Sequence, residues 1–216
     1  MADFETEEQQ VEALKRWWQE NGRAVVLGIG IGLAVIFGFR AWQTHKVSVA
    51  QDASSAYTEV LQSLERDDNG EQFLSLVESI RDDHGDSPYA AMASLAEARF
   101  QVENDQLPEA EAALRWAVDK GSFREIVPVA RLRLARVLKA QEKHQDALKV
   151  LDSVSSSAFI GHVEEIRGDI YLDQGDTAQA VSAYQRARDS GSPTNSGAAL
   201  QMKIDDLATD ASDEKS

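Results

Sequence analysis

The sequence predicts an all-α protein: one N-terminal transmembrane helix followed by a superhelix of helical hairpins. Three observations predict it. Ala24 to Phe39 form an unbroken apolar run, helix-period apolar faces recur beyond residue 47 with few strand signals, and a pattern of small residues, large residues and turns repeats along the second half.

The apolar run, AVVLGIGIGLAVIFGF, holds sixteen residues. As an α-helix it is about 24 Å long, short of the ~30 Å hydrocarbon core. Its flanks supply the rest. Arg23 and Arg40 can snorkel toward headgroups, which extends the span over Ala41 and Trp42. Trp17 and Trp18 on one side and Trp42 on the other suit the interfacial aromatic belt. A cleavable signal peptide does not fit, because six acids precede the run and Arg-Ala-Trp follows it. A buried core helix would rarely lack a polar face altogether. Gly28, Gly30 and Gly32 have the wrong spacing for a dinucleotide loop, and no strand precedes them. Ala24, Gly28 and Gly32 fall four residues apart, a small face on which another membrane helix could pack closely. Lys15, Arg16 and Arg23 outnumber Arg40 and Lys46, which favours the N-terminus inside.

Before the anchor, Val11, Leu14 and Trp18 follow helical spacing, so residues 5–20 are expected to form an amphipathic helix that Asn21-Gly22 breaks. It would lie on the membrane, dock a cytoplasmic partner, or both.

The net charge is −15, and residues 1–46 carry only −1 of it. So acidic a domain repels phosphate backbones and anionic lipid heads, which argues against nucleic acid as a partner. The absence of cysteine excludes thiol catalysis, disulfides and Cys-based zinc sites.

Beyond the anchor, Tyr57, Leu61 and Leu64 mark one helical face, and Phe73, Leu76, Val77 and Ile80 another. Turn signals stand at Asp68-Asn69-Gly70, Gly85 to Pro88, Gly121-Ser122 and Ser190 to Pro193. Ser87 is placed as an N-cap with Pro88 at the first helical position, and Pro108 is expected to open the next helix similarly. The clearest repeat unit is Gly168, Tyr171, Gly175, Asp176, Ala180, Tyr184 and Ala187. Its small residues let two antiparallel helices approach, its tyrosines fill the space between them, and Asp176 with Gln179 reads as a capping box. Ala135, Leu138, Ala147 and Leu151 repeat the pattern 33 residues earlier, and Ala98, Ala110 and Leu114 repeat it 37 earlier again. The difference predicts an insertion within Asp119–Glu125. The first unit is eroded, with Gln101 where a large apolar residue is usual. This spacing resembles the tetratricopeptide consensus. Residues 50–83 should cover one end of the stack, and Leu200, Ile204 and Leu207 should cap the other, followed by a polar tail from Asp210 expected to be disordered.

No catalytic or metal constellation emerges. His45, His84, His144 and His162 are isolated, with no second histidine at i+3 or i+4. Glu164-Glu165 and similar acid pairs read as surface charge, because neighbours on a helix point in different directions. The chain is therefore expected to be a non-enzyme. Stacked hairpins offer a groove lined by their first helices. In this register the groove carries Met92, Leu95, Arg99 and Val102, then Val129, Leu132, Arg136 and Lys139, then His162, Glu165, Asp169 and Leu172. It is apolar and basic toward one end and acidic toward the other, a surface suited to extended polypeptide. The competing reading makes Leu95, Val129 and Leu132 packed core between repeats.

The chain also resembles the YfgM family, the ancillary subunits of the SecYEG translocon in Gram-negative bacteria. The likeness rests on Val11 to Trp18, on Glu20-Asn21-Gly22, and on Ala93-Ser94-Leu95 through Glu109-Ala110. It continues through Leu132 to Val137, Arg167-Gly168 and Met202-Lys203-Ile204. The resemblance implies a cytoplasmic tail at 1–22, an inner-membrane helix at 23–43, a periplasmic tetratricopeptide-like domain at 44–209 and a tail at 210–216. It implies no cofactor and no catalytic residue. Its implied partners are the SecYEG translocon, a membrane-anchored prolyl-isomerase-like periplasmic chaperone and unfolded client polypeptides, with membrane lipid around the anchor. Its implied role is to help newly translocated proteins on toward periplasmic chaperones. The alternative is an envelope-stress regulator whose cytoplasmic tail sequesters a signalling protein.

Overall fold

The computed structural model describes residues 7–66, 70–120, 123, 125–190 and 197–213, and among them every regular element is helical. The chain divides into two compact units, residues 1–52 and 53–216.

The first unit consists of helix α1 (Glu7–Glu65) up to Asp52. It contains the described stretch long and apolar enough to cross a membrane, and that stretch is not buried within the protein. Val26, Leu27, Ile29, Ile31 and Phe37 are all exposed. An apolar helix without protein cover is at home in hydrocarbon, where its backbone bonds are satisfied internally. The expected break at Asn21-Gly22 does not occur, because α1 runs through it. The Asn21 amide donates to the Trp17 carbonyl at 3.1 Å, and the Trp18 indole lies over Gly22. These contacts offset the weak helix propensity of the pair, about 1 kcal/mol for the glycine.

The second unit is a stack of hairpins. Its first hairpin pairs the end of α1 (from Ala53) with α2 (Gly70–His84). Val60, Phe73, Val77 and Ile80 are buried there, and Tyr57, Leu64 and Leu76 pack against them, whereas Leu61 is exposed. The helices α3 (Pro88–Glu103) and α4 (Leu107–Lys120) form the second hairpin. The third is α5 (Ile126–Ala140) with α6 (His144–Asp152). The fourth is α7 (Ile160–Asp173) with α8 (Thr177–Asp189), and α9 (Gly197–Asp213) closes the stack. A single 3-10 turn, Ser157–Phe159, leads into α7.

The caps follow the sequence closely. The Ser87 hydroxyl accepts from the Ala90 amide at 3.3 Å, with Pro88 opening α3. Helix α4 starts one residue before Pro108, at Leu107. The Asp176 carboxylate accepts from the Gln179 amide at 3.0 Å. The Gln179 side chain also bonds that carboxylate rather than the Asp176 backbone, so half of the expected capping box is replaced. Helix α9 carries the backbone to Asp213, beyond the Asp210 boundary expected for the tail, while residues 214–216 lie outside the described ones. The turn residues Asp68-Asn69, Gly121-Ser122 and Gly191-Ser192-Pro193 also lie outside them.

The three later hairpins turn in the same way. Asp105 (φ 58°), Glu142 (φ 61°) and Gly175 (φ 78°) occupy the left-handed region. The next amide in each turn returns to the helix it leaves: Gln106 to the Gln101 carbonyl at 2.8 Å, Lys143 to Leu138 at 2.9 Å, and Asp176 to Tyr171 at 2.9 Å. These positions are 37 and then 33 residues apart, as the small-residue pattern requires.

Packing explains that pattern. Ala98, Ala110, Ala135, Ala147 and Ala180 are fully or almost fully buried, so helices meet at close range, with Leu114, Leu151 and Tyr184 filling the equivalent larger space. Gln101 occupies the position of Leu138 and Tyr171, is 4% exposed, and leaves its Oε1 without a hydrogen-bond partner. A buried orphan acceptor costs about 1–3 kcal/mol. Replacement of Gln101 by leucine should therefore raise stability by about 1 kcal/mol or more in urea unfolding of the full chain. An unchanged midpoint would mean that the amide oxygen is satisfied in solution.

Candidate protein-binding groove

The column of residues read from the first helices divides into three parts when placed on the fold. Met92, Arg99, Val102, Arg136 and Leu172 are exposed. Val129 is half-buried. Leu132 is only 5% exposed and belongs to the central core, with Leu95 packed against it. Here the competing reading holds for Leu132 and Leu95.

Charged partners account for most of the rest. Lys139 pairs with Asp173 at 3.0 Å, joining α5 to α7, and His144 approaches the same carboxylate at 3.9 Å. His162 lies beside Phe159 with its Nδ1 buried and unpartnered. At the acidic end, Lys203 of α9 reaches Asp169 at 2.7 Å and Glu165 at 3.7 Å, and its ammonium lies over the Tyr184 ring. The Tyr184 hydroxyl donates to the same Asp169 at 2.7 Å. Burial, reinforced by that bond to a carboxylate, pushes the phenol well above its ordinary range, so it stays a donor. The capping helix therefore neutralises the acidic end that the sequence presented as open.

Glu164 corrects another expectation. It is buried, and its two oxygens take Arg167 at 2.5 Å and Arg186 at 2.7 Å, tying α7 to α8. Arg167 also holds Asp152 at the end of α6. The sequence-adjacent acids point apart, as expected, but one of them points into the structure.

Between α3, α4 and α5 lies an apolar pocket of about 330 Å³. Val102, Leu107, Leu114 and Val137 line it, while Arg99, Arg133, Arg136 and Glu103 stand around it. Arg99 and Glu103 pair at 2.7 Å on the surface. Among the described residues, Arg133 reaches only the Leu95 carbonyl, at 3.5 Å, and Arg136 has no ion-pair partner. Only Arg99, Val102 and Arg136 of this pocket were legible in the groove column.

The pocket exists because of a substitution between repeats. In the 33 and 37 residue register, Val102 and Ala140 stand where the next junction has Lys139 and Asp173. The later junction is spanned by that ion pair. The earlier one has a valine and an alanine, too short to meet, and a hole remains. Comparing those two columns in the sequence would have located it.

The back of the same junction is polar. Glu111 of α4 accepts from Lys143 at 2.8 Å, Arg115 at 2.8 Å and the Gln141 amide at 3.0 Å. Burial pushes its carboxyl up, but the hydrogen bonds from Lys143, Arg115 and Gln141 outweigh this and hold it below the usual glutamate range. A carboxylate depressed by folding stabilises fully above its unfolded pKa, about 4.3, and loses that contribution as pH falls through the folded value. Stability should thus fall less steeply below about pH 4 in Glu111→Gln than in the parent, measured by thermal unfolding. Equal slopes would contradict the assignment.

Comparison with known proteins agrees with the hairpin geometry. Residues 15–209 match the tetratricopeptide repeat-like domain family. An ancillary SecYEG translocon subunit of Escherichia coli is 31% identical over 96% of this chain and 100% of its own length. That of Aggregatibacter actinomycetemcomitans is 32% identical over 92% and 94%, and that of Haemophilus influenzae 29% over 93% and 97%. The chain belongs to this YfgM family. The match spans both the apolar segment and the hairpin stack of this chain, and not the repeats alone. Members carry the name of a translocon subunit and a domain of a non-catalytic kind. No group of three or more His, Asp or Glu side chains placed to hold a metal ion occurs among the described residues.

Proposed function

We propose that this chain is a non-enzymatic, membrane-tethered ancillary subunit of the Sec translocon that helps newly translocated proteins on to periplasmic chaperones. The observation carrying the reading is the union of one uncovered apolar helix with a hairpin stack whose family members are named for the translocon. The anchor holds the chain in the inner membrane, and the basic residues before it favour a cytoplasmic N-terminus. The hairpin domain then lies in the periplasm, beside the exit of the channel. Ala24, Gly28 and Gly32 are the face on which a translocon helix packs; at both glycines an added Cβ would meet nothing within the chain. The exposed groove residues Met92, Arg99, Val102, Arg136 and Leu172 receive a prolyl-isomerase-like chaperone or an unfolded client.

Affinity purification from membranes tests this reading. Full-length chain should bring down the translocon, and removal of residues 2–10 should leave that association intact. Failure of the full chain to copurify with the translocon would overturn the proposal. Loss of an envelope-stress response on the same truncation would instead favour a regulator acting through its cytoplasmic tail.

A further inference from the structure

We infer that the pocket between α3, α4 and α5 is a docking site for an acidic polypeptide segment anchored by one large apolar side chain. The inference rests on the protein-binding reading above and names the class of segment bound. Three arguments carry it. The hole is apolar at its base, with Val102, Leu107, Leu114 and Val137, and its volume of about 330 Å³ is in the range of known ligand pockets. Its rim is basic in a domain that is otherwise strongly acidic: Arg99, Arg133 and Arg136 face a single acid, Glu103, which Arg99 already engages. Arg133 and Arg136 make no salt bridge among the described residues, so their charges are available to an incoming carboxylate. Finally, the neighbouring junction is spanned by the Lys139–Asp173 pair and the acidic end by Lys203, whereas no ion pair among the described residues joins α3 to α5 across this one, and it stays open. Charge complementarity selects an acidic occupant and disfavours a basic one.

The repeat itself supplies a variant that should fold. Val102→Lys combined with Ala140→Asp copies the Lys139–Asp173 pair into the pocket and fills it. The probe is a fluorescein-labelled peptide with one phenylalanine flanked by glutamates, titrated by anisotropy onto the full chain in detergent. A matched peptide with lysines for glutamates and one with alanine for phenylalanine serve as controls. The glutamate–phenylalanine peptide should bind at least tenfold tighter than either control. Its affinity should fall at least tenfold in the pocket-filling variant and in Arg133→Ala with Arg136→Ala, with unfolding midpoints close to the parent. Equal binding of the lysine peptide, or undiminished binding after filling, would overturn the inference. Translocon copurification, measured on the same variants, separates the two levels. If it persists while the peptide fails to bind, only the pocket assignment falls; if it is absent even in the parent, the reading beneath falls.

Discussion

Replacing Tyr184 by alanine should cost about 3–5 kcal/mol, the largest loss expected from a single change in the hairpin domain. The ring is fully buried between α7, α8 and α9, in a cluster with Ala180, Ala187, Leu200 and Ile204. Its hydroxyl donates to Asp169, and its face carries the Lys203 ammonium. Removing it empties the space that lets the capping helix seat and deletes one contact of the charged cluster at that end. Unfolding of the full chain in urea measures the loss. Hydrogen exchange should show α8 and α9 losing protection before α5 and α6, because the stack is held by nearest-neighbour interfaces. A loss under about 1 kcal/mol would mean that α9 repacks into the cavity.

Gly168 should tolerate no side chain while Tyr184 is present. A Cβ there would lie 2.4 Å from Tyr184 Cε1 and 2.5 Å from Cδ1, and the ring, fully buried and tethered through its hydroxyl, cannot retreat. Overpacking of this kind costs about 1–3 kcal/mol, which exceeds the ~1 kcal/mol that alanine gains over glycine in a helix. The two preceding hairpins meet the same spacing differently, pairing Ala98 with Leu114 and Ala135 with Leu151. Gly168→Ala should therefore destabilise the parent but be neutral or favourable in a Tyr184→Leu background. A double-mutant cycle reads that coupling directly. Additive effects would contradict the account of glycine and tyrosine as one unit.

That glycine and tyrosine explain why so much of the fold was legible. Close helix contacts demand small residues at fixed offsets, and a left-handed turn demands a fixed position between them. Gly168, Gly175 and Tyr184 consequently wrote the register into the sequence, and Ala135 and Ala98 extended it. The candidate groove was only partly legible. A column of first-helix positions finds Arg99, Val102 and Arg136, but it cannot show that Leu132 faces the core or that Lys203, 34 residues from Asp169, closes the acidic end. The same holds for Glu164, whose partner Arg186 sits on the next helix, 22 residues away. Asn21-Gly22 misled for a local reason, since side-chain contacts within one turn kept the helix intact. Pairings fixed by tertiary approach leave little trace in a single sequence, whereas spacing fixed by size leaves a clear one.

The central claim is that the groove is the working surface of a translocon-bound protein. In-cell photocrosslinking tests it most directly, with a photoreactive residue at Val102 or Arg136, both exposed, and a control at Ser212 in the C-terminal segment. The account predicts specific adducts from Val102 and Arg136 to a chaperone, a translocon subunit or newly exported chains, and none of these from Ser212. Adducts arising only from Ser212 would contradict it.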